Sequence, residues 1–346
     1  MDNVYVLSCM RRTPQPRIAV SSREEPFVRL IYDHLKHHLY ELDMVFHPAF
    51  LRAIDLYHLQ WPEWSLILKR NVLSRHQQRI RELKRHHIPI VWTQHNFIPH
   101  NKDESYQSIY QAWAKAADAV IHLSNWGEQQ VRSHYTYSPD CQHIVIPHPY
   151  WNWTVRPCER QDRQTLEQEF GLKPCGIRLG IVGKPRQEKD IIGFMRTFAA
   201  CSRPDLQLVV WSLGRKVRVP NDPRIYAMPY QFVSPKIYQQ QLAVLDVLVM
   251  PFAQHTMLAT GTVADAVAFG LPCLVSDWPY LLEYLRGAAI PYGSGQDNLM
   301  ACLESLDQTM LERARAVTQQ LRSDYAPDRI SALTWAVLKK YMKKNN

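Results

Sequence analysis

The chain has 346 residues, a formal net charge of +9 and 46% hydrophobic residues. This length exceeds what one hydrophobic core usually organises, so two domains are expected, and the apolar content excludes a disordered protein. No apolar run approaches the roughly 20 residues that span a bilayer, and the first apolar segment precedes its positive charges, the reverse of a secretory signal. A cytoplasmic protein is therefore expected. The 7 cysteines form no CxxC pair, which argues against a disulfide framework and against a thiolate zinc site.

The positive charge predicts an anionic partner. Three classes of partner fit this prediction: nucleic acid, a phospholipid surface and a phosphorylated small substrate. Much of this charge lies in residues 69–87, KRNVLSRHQQRIRELKRHH. Two interpretations of this segment stay open. It is either a solvated helix face or a helix face that contacts a membrane.

The N-terminal half alternates short apolar runs with amphipathic segments. A helix is predicted over residues 24–42 because five apolar side chains share one face at helical spacing. These side chains are Phe27, Ile31, Leu35, Leu39 and Leu42. Buried strands are predicted at 4–9, 55–61, 88–96, 118–124 and 143–149. Strands that alternate with helices predict a parallel sheet covered on both faces.

A polar stretch at 151–172 interrupts this alternation and predicts a domain boundary. The alternation then restarts, with strands predicted at 177–183, 206–212, 225–229, 244–252 and 272–277 and helices at 188–200, 234–244 and 261–270. The sequence therefore predicts an α/β protein with two domains, 1–150 and 151–325, that face each other across a cleft. The final segment, 326–346, carries a helical apolar stripe.

The stretch TMLATGTVADAVAFGLP, at 256–272, follows a predicted buried strand and opens a helix. Unpaired N–H groups and the helix dipole make such a helix start an anion site. Gly261 lets the backbone approach a phosphate, and Thr260 and Thr262 can cap the helix or donate to phosphate oxygens. Asp265 can accept hydrogen bonds from ribose hydroxyls. The alternative is an ordinary threonine-capped helix with an exposed aspartate.

A second candidate for phosphate binding is GIVGKPRQEKD, at 180–190, where a predicted strand runs through Gly183 into a helix. Lys184, Arg186 and Lys189 place cations where a diphosphate can be clamped. A solvated turn is the alternative. The sequence contains neither a Walker loop nor a G-x-G-x-x-G motif after a strand, which argues against kinase-type and dehydrogenase functions.

The loop HNFIPHN, directly after the predicted strand 88–96, brings His95, Asn96 and His100 to the carboxyl end of that strand. Imidazole can act as a base near neutral pH or can position a substrate by hydrogen bonding, although a histidine that only caps the strand is the alternative. Three carboxylates are further candidates for a base in a reaction that inverts configuration, and the sequence does not rank them. They are Glu63, Asp103 and Glu104. No recognisable metal-ligand set accompanies the histidines, so metal binding by them is not expected.

The order of elements, the basic turn at 183–189 and TGTVADAVAFGLPCLVSD resemble the donor-binding half of GT-B glycosyltransferases, particularly glycosyltransferase family 4. In that family two acids, separated by seven positions, precede A-x-A-x-G-x-P. Asp265 occupies the position of the second acid, which binds the donor ribose in that family. Met257 occupies the position of the first acid, which in that family lies near the sugar. This departure leaves the handling of the sugar and the retaining or inverting outcome open. DLYHLQWPEW and VWTQHNFIPHN are similar to acceptor-side strand ends of bacterial polysaccharide glycosyltransferases.

The resemblance implies two Rossmann-like domains, acceptor-binding at 1–150 and nucleotide-sugar-binding at 151–325, with the helix of 326–346 packed back on the first. It implies a cytoplasmic, membrane-peripheral hexosyltransferase of bacterial exopolysaccharide synthesis, with a lipid-linked acceptor. The expected donor is a GDP- or UDP-linked sugar, and similarity to exopolysaccharide mannosyltransferases makes mannose the expected hexose. No cofactor, metal or nucleic acid is expected. Two alternatives stay open: a nucleotide-sugar epimerase of the same fold, and a non-catalytic basic protein that binds nucleic acid, although the sequence has no recognition-helix motif.

Overall fold

The computed structural model describes residues 15–40, 51–64, 72–98, 105–152, 160–214, 216–253 and 257–342, and it divides into two compact units. Unit 1 comprises Met1–Pro149, Thr256–Ala259 and Pro327–Asn346. Unit 2 comprises Tyr150–His255 and Thr260–Ala326.

Strands and helices alternate along most of the described chain. The strands are β1 (Arg17–Val20), β2 (His38–Tyr40), β3 (Leu56–Leu59), β4 (Ile90–Gln94), β5 (Ala119–His122), β6 (Gln142–Val145), β7 (Ile177–Ile181), β8 (Leu206–Leu213), β9 (Ile225–Pro229), β10 (Val247–Met250), β11 (Cys273–Val275) and β12 (Ala289–Pro291). The helices are α1 (Pro26–Tyr32), α2 (Val72–Arg85), α3 (Ser105–Ala116), α4 (Asn125–His134), α5 (Arg160–Glu169), α6 (Ile191–Ala200), α7 (Pro235–Ala243), α8 (Thr262–Phe269), α9 (Pro279–Leu285), α10 (Gln296–Ser305), α11 (Gln308–Asp324) and α12 (Pro327–Tyr341).

The described strands of unit 1 form one parallel sheet in the order β2-β1-β3-β4-β5-β6. In the register of this sheet, Tyr57 lies opposite Ala19 on one side and Ile90 on the other. Every residue of β3, β4 and β5 is buried, as expected for parallel strands covered on both faces. The C-terminal helix α12 packs against α1, and Trp335 stacks on His37 with 5.3 Å between ring centroids.

The sheet of unit 2 is also parallel, with the order β12-β11-β10-β7-β8-β9. Helix α6 packs against α10, and helix α8 packs against α11. Gly270, with φ of +66°, ends α8 in the left-handed conformation that glycine adopts without strain. The strand order reverses between β7 and β10, which makes the carboxyl ends of these two strands the topological switch point of the sheet.

Most sequence-based elements are confirmed, and the strand at 225–229 has the predicted bounds. The helix predicted over 24–42 is wrong over 33–40, because α1 ends at Tyr32 and β2 follows, and residues 41 and 42 lie outside the described residues. Leu39 lies in β2 opposite Ile18 of β1, so sheet pairing overrides the helical spacing. The sequence did not predict β1, and the strand predicted at 4–9 lies outside the described residues. Within the described chain, no helix is long and apolar enough to cross a bilayer, and every cysteine is free.

Buried neutral histidines are a feature of unit 1, and all but one of the 15 histidines of the chain precede residue 149. Burial lowers the pKa of His58, His76 and His122 to about 3 and that of His148 to about 4. An unfolded histidine has a pKa of about 6.5. The unfolded state therefore takes up protons below that pH that the folded state does not bind, and stability is lost as pH falls from 6.5.

We predict that the free energy of unfolding decreases between pH 6.5 and pH 4.5, by about 1.4 kcal/mol per pH unit for each such histidine. His76→Gln removes one of these groups, and its amide can still accept the hydrogen bond that Trp113 Nε1 donates to His76 Nδ1 over 3.1 Å. Urea denaturation across this pH range should show that the free energy of unfolding depends less steeply on pH in His76→Gln than in the wild type. The matched control is His134→Gln, because His134 is exposed. Equal slopes in the wild type and His76→Gln would contradict the prediction.

Candidate functional site

Two turns of unit 2 lie at the switch point of its sheet. Strands β7 and β10 are adjacent and parallel, with Leu179 opposite Val247 and Gly180 opposite Leu248. The turns that follow them, at 182–190 and at 251–253, therefore leave the same edge of the sheet. Because ligands of open α/β sheets bind beyond the carboxyl ends of the strands at this point, the two turns form the candidate ligand site.

The first turn presents cations to solvent. Gly183 has φ of +81°, a conformation that favours glycine, and it redirects the chain after β7. Lys184 and Arg186 follow and are exposed. Lys189 lies deeper, where its Nζ donates a hydrogen bond to the carbonyl oxygen of Val182 over 3.0 Å.

Backbone hydrogen bonds join the first turn to the segment after β10. The N–H of Ala253 donates to the carbonyl oxygen of Glu188 over 2.7 Å. The N–H of Asp190 donates to the carbonyl oxygen of Pro251, also over 2.7 Å. Lys189 and Phe252 form an antiparallel bridge between these bonds. The cations of the first turn are therefore held beside the chain that leads from β10 towards α8.

The charge on Lys189 depends on the first turn and on helix α8. Burial, followed by repulsion from Arg186, lowers the pKa of Lys189 to about 8, while Asp265 and Glu188 act in the opposite direction. Lys189 thus lies within electrostatic range of Arg186 from the first turn and of Asp265 from helix α8. An anion bound here would favour the protonated lysine.

The start of α8 differs in part from the sequence-based interpretation. The N-cap residue of α8 is Gly261, without a side-chain cap, and Thr260 Oγ1 accepts a long hydrogen bond of 3.4 Å from the Thr262 N–H. Gly261 has φ of −66°, so its backbone conformation does not require glycine. Trp151 provides another reason for glycine, because its Nε1 donates to the Gly261 carbonyl over 3.0 Å and its ring would lie 3.2 Å from a Cβ at that position.

Asp265 is buried, with 4% of its surface exposed, so the alternative of a threonine-capped helix with an exposed aspartate is wrong about the aspartate. The hydroxyl of Tyr238, in α7, donates to Asp265 Oδ2 over 2.8 Å. Burial and the nearby carboxylate raise the pKa of Tyr238 well above its ordinary value, so the phenol keeps its proton. Sequence reasoning missed Tyr238 because nothing in its local pattern indicates this contact.

A cavity of about 320 Å³ adjoins the two turns and extends towards the ends of β11 and β12. Asp190, Phe252, Asp277 and Tyr292 are among its lining residues, and none of the predicted donor-binding residues lines it. Its charged lining side chains are carboxylates, which repel a diphosphate. The cations of the first turn therefore mark the better anion site.

His95 lies immediately after β4 in unit 1 and is buried. Its ring stacks on Trp61 with 4.0 Å between centroids, and it meets the edge of Phe27 at 4.7 Å. His95 Nε2 lies 2.9 Å from Gln60 Oε1. Burial, with repulsion from His148 and His58, lowers the pKa of His95 well below its ordinary value, so the ring is neutral at neutral pH.

Glu63 is also buried, and both of its carboxylate oxygens accept hydrogen bonds. Asn96 Nδ2 donates to Oε1 over 3.0 Å, and the Tyr110 hydroxyl donates to Oε2 over 2.8 Å. The backbone of Asn96 also pairs with that of Met257, the residue at the position of the first family acid. These contacts make Glu63 an anchor for the loop after β4.

The remaining predicted residues of unit 1, His100, Asp103 and Glu104, lie outside the described residues. Among the residues that the structure describes, no group of three or more His, Cys, Asp or Glu side chains could hold a metal ion.

Comparison with known proteins assigns the fold. The structure of HepE from Anabaena in complex with UDP-glucose is 12% identical, with a TM-score of 0.67 over 94% of this chain and 100% of that chain. Sucrose-phosphate synthase from Thermosynechococcus elongatus is 14% identical, with a TM-score of 0.64 over 94% and 98%. WaaG, a glycosyltransferase involved in lipopolysaccharide biosynthesis, is 13% identical, with a TM-score of 0.60 over 93% and 99%. No protein-family model and no curated protein matches the sequence. The structural likenesses show that the chain has the GT-B fold of these glycosyltransferases.

We predict that Tyr238→Phe lowers the free energy of unfolding by about 1.5–3 kcal/mol, because a buried carboxylate loses a charge-assisted hydrogen bond. The matched control is Tyr226→Phe, since Tyr226 donates only to the sulfur of Met228 near the surface of the same unit. Urea denaturation measures both values. If the free energy of unfolding falls no more in Tyr238→Phe than in the control, the contact to Asp265 does not stabilise the unit.

Proposed function

We propose that this protein is a glycosyltransferase that moves a hexose from a nucleoside diphosphate sugar to an acceptor hydroxyl. The observation that carries the proposal is the pair of turns at the switch point of unit 2, joined by backbone hydrogen bonds and bearing Lys184, Arg186 and Lys189. The GT-B fold supports it, since HepE, a structural neighbour, has been solved with UDP-glucose.

The donor diphosphate is proposed to lie against the first turn. Lys184 and Arg186 provide exposed cations, and the start of α8, with Thr260, Gly261 and Thr262, contributes the positive end of a helix dipole. These groups make the departure of the diphosphate independent of a metal. Asp265 is proposed to hold the ribose, with Tyr238 fixing the orientation of its carboxylate.

In the proposed reaction, the acceptor hydroxyl oxygen forms a bond to the anomeric carbon while the bond from that carbon to the β-phosphate oxygen breaks. The bonding electron pair passes to the diphosphate, and cations preorganised at that position stabilise the developing charge. The hydroxyl proton passes to a base, for which we propose His95 because its ring is neutral and immobilised. Asn96 is proposed to contact the acceptor, and Glu63 to hold Asn96 in place.

We further propose a GDP- or UDP-linked mannose donor, a lipid-linked oligosaccharide acceptor in bacterial exopolysaccharide synthesis, and peripheral binding to the inner face of the cell membrane. The sugar, acceptor and pathway rest on the family resemblance. Membrane binding is supported by α2, where Arg75 and Arg81 are exposed. Other basic side chains of this helix are already engaged, since Lys84 pairs with Asp118 over 2.8 Å and Arg85 with Glu82 over 2.9 Å.

We predict that a GDP or UDP sugar raises the melting temperature and that Lys184→Ala or Arg186→Ala weakens donor binding about 10- to 100-fold, the effect of losing one charge-assisted contact. The matched control is Arg196→Ala, which removes an exposed cation from α6 in the same unit. Thermal shift titrations and turnover in the presence of EDTA measure the effect.

If no nucleoside diphosphate sugar shifts the melting temperature, the donor site is wrongly assigned. Turnover that stops in EDTA would contradict the metal-independent departure. An epimerised sugar formed from the donor alone would show an epimerase instead, and tight salt-sensitive binding to nucleic acid without turnover would show a binding protein.

We predict that the protein co-sediments with vesicles of phosphatidylcholine and phosphatidylglycerol, and that Arg75→Glu/Arg81→Glu weakens this binding at least fivefold per residue, on the order of 1 kcal/mol for each charge. The control is Lys236→Glu/Arg313→Glu, which makes the same charge change on unit 2. Equal binding of the two double variants would contradict a membrane-facing role for α2.

A further inference from the structure

We infer that Gln60 is a positioning residue that holds His95 in the tautomer with a proton on Nε2, which leaves Nδ1 as the nitrogen that accepts a proton. The catalytic meaning of this inference rests on the proposed function. The placement of the proton does not, because it follows from a chain of hydrogen bonds inside unit 1.

The imidazole of His95 has a fixed orientation. Trp61 covers its face, with an interplanar angle of 18°, and Phe27 meets it edge-on at 89°. Within the described residues, the hydrogen-bond partner of this ring is Gln60, whose Oε1 lies 2.9 Å from Nε2. A carbonyl oxygen only accepts hydrogen bonds, so Nε2 must donate and therefore carries a proton.

The carboxamide of Gln60 is itself held in place. Gln60 is 1% exposed, its backbone N–H donates to Ser21 Oγ over 2.8 Å, and its carbonyl oxygen accepts from Trp92 Nε1 over 3.1 Å. The side-chain Nε2 lies 3.1 Å from His58 Nε2. The amide nitrogen therefore faces His58 while the amide oxygen faces His95.

His58 completes the chain. Its pKa is lowered to about 3 by burial, so the ring is neutral and carries one proton. Because the Gln60 amide donates to His58 Nε2, that proton is on Nδ1, which lies 2.6 Å from the Tyr32 hydroxyl oxygen. Thr93 Oγ1, 2.8 Å from His58 Nε2, further fixes the ring. His95, Gln60 and His58 thus each donate to the next group, and Tyr32 accepts at the end.

This polarity matters for a neutral base. A neutral imidazole has one protonated nitrogen and one that accepts, and only the second can take the acceptor hydroxyl proton. Rotating the Gln60 amide by half a turn would place its N–H groups against His95 Nε2 and force the proton onto Nδ1. The reacting nitrogen would then be blocked.

The test combines NMR of protein with ring-¹⁵N-labelled histidine and kinetics of two variants. Signals of His95 are assigned by their absence in His95→Asn. The wild type should show a protonated Nε2 and an unprotonated Nδ1. Gln60→Met keeps the side-chain length but leaves a buried N–H without an acceptor, so the proton should shift towards Nδ1. We expect kcat to fall about 10- to 100-fold, part of the usual contribution of a general base, with the KM for the donor unchanged within about twofold because the donor site lies in unit 2.

Gln60→Glu is the conservative variant, because its carboxylate still accepts from Nε2. It should keep the wild-type tautomer and raise the pKa of His95, which moves the acidic limb of the kcat profile to higher pH while activity returns at the top of that profile. The other titratable groups that act on His95 are His58 and His148. Their pKa values are lowered to about 3 and about 4, so both are neutral at neutral pH. A residue with only a structural role would not move this limb.

The inference is overturned if wild-type His95 carries its proton on Nδ1, or if Gln60→Met leaves both the tautomer and kcat unchanged. Failure of the proposed function has a different pattern. The wild-type tautomer would be as stated, and would change in Gln60→Met, while no nucleoside diphosphate sugar is bound or turned over. In that case the positioning of His95 by Gln60 stands without glycosyl transfer.

Discussion

The parallel pairing of β7 with β10 is the constraint on which the candidate donor site depends. These strands are far apart in the sequence, yet their carboxyl ends leave the same edge of the unit 2 sheet where the strand order reverses. The backbone bond from Ala253 to Glu188 then holds the basic turn beside the chain that leads to α8. Without this pairing, the cations and the helix start would be two unrelated surface features.

Unit 1 depends on a different constraint, the need to satisfy polar groups that are buried. His58, Gln60 and His95 lie at or beside the carboxyl ends of neighbouring strands, and each finds its partner in another of the three. Burial keeps the histidines neutral, so each has one donor and one acceptor to place. The network therefore has a single direction, which connects packing in the core to the protonation of the proposed base. Glu63 illustrates the same rule, since burying its carboxylate requires the bonds from Asn96 and Tyr110.

Strand positions were predictable because buried parallel strands are short apolar runs, and the run predicted at 177–183 contains β7, in which every residue is buried. The region 24–42 was not predictable in the same way. Its apolar residues are compatible with a helix, but Leu39 pairs with β1. Whether this segment forms a helix or a strand therefore depends on its pairing with another part of the chain. Residues in the turns after strands, such as Lys184 and His95, could be proposed as site residues because strand ends are where α/β sheets bind ligands.

The sequence by itself determined the alternation of strands and helices, the two-domain α/β architecture and the presence of cations and a glycine after β7, because these follow from local patterns. Only the tertiary structure decided which side chains meet. Gln60 reaches His95 across 35 residues and Tyr238 reaches Asp265 across 27, through the register of neighbouring strands and the packing of helices. It also decided that Asp265 is buried and that Trp151 lies against Gly261, since burial and close approach depend on segments far apart in the chain.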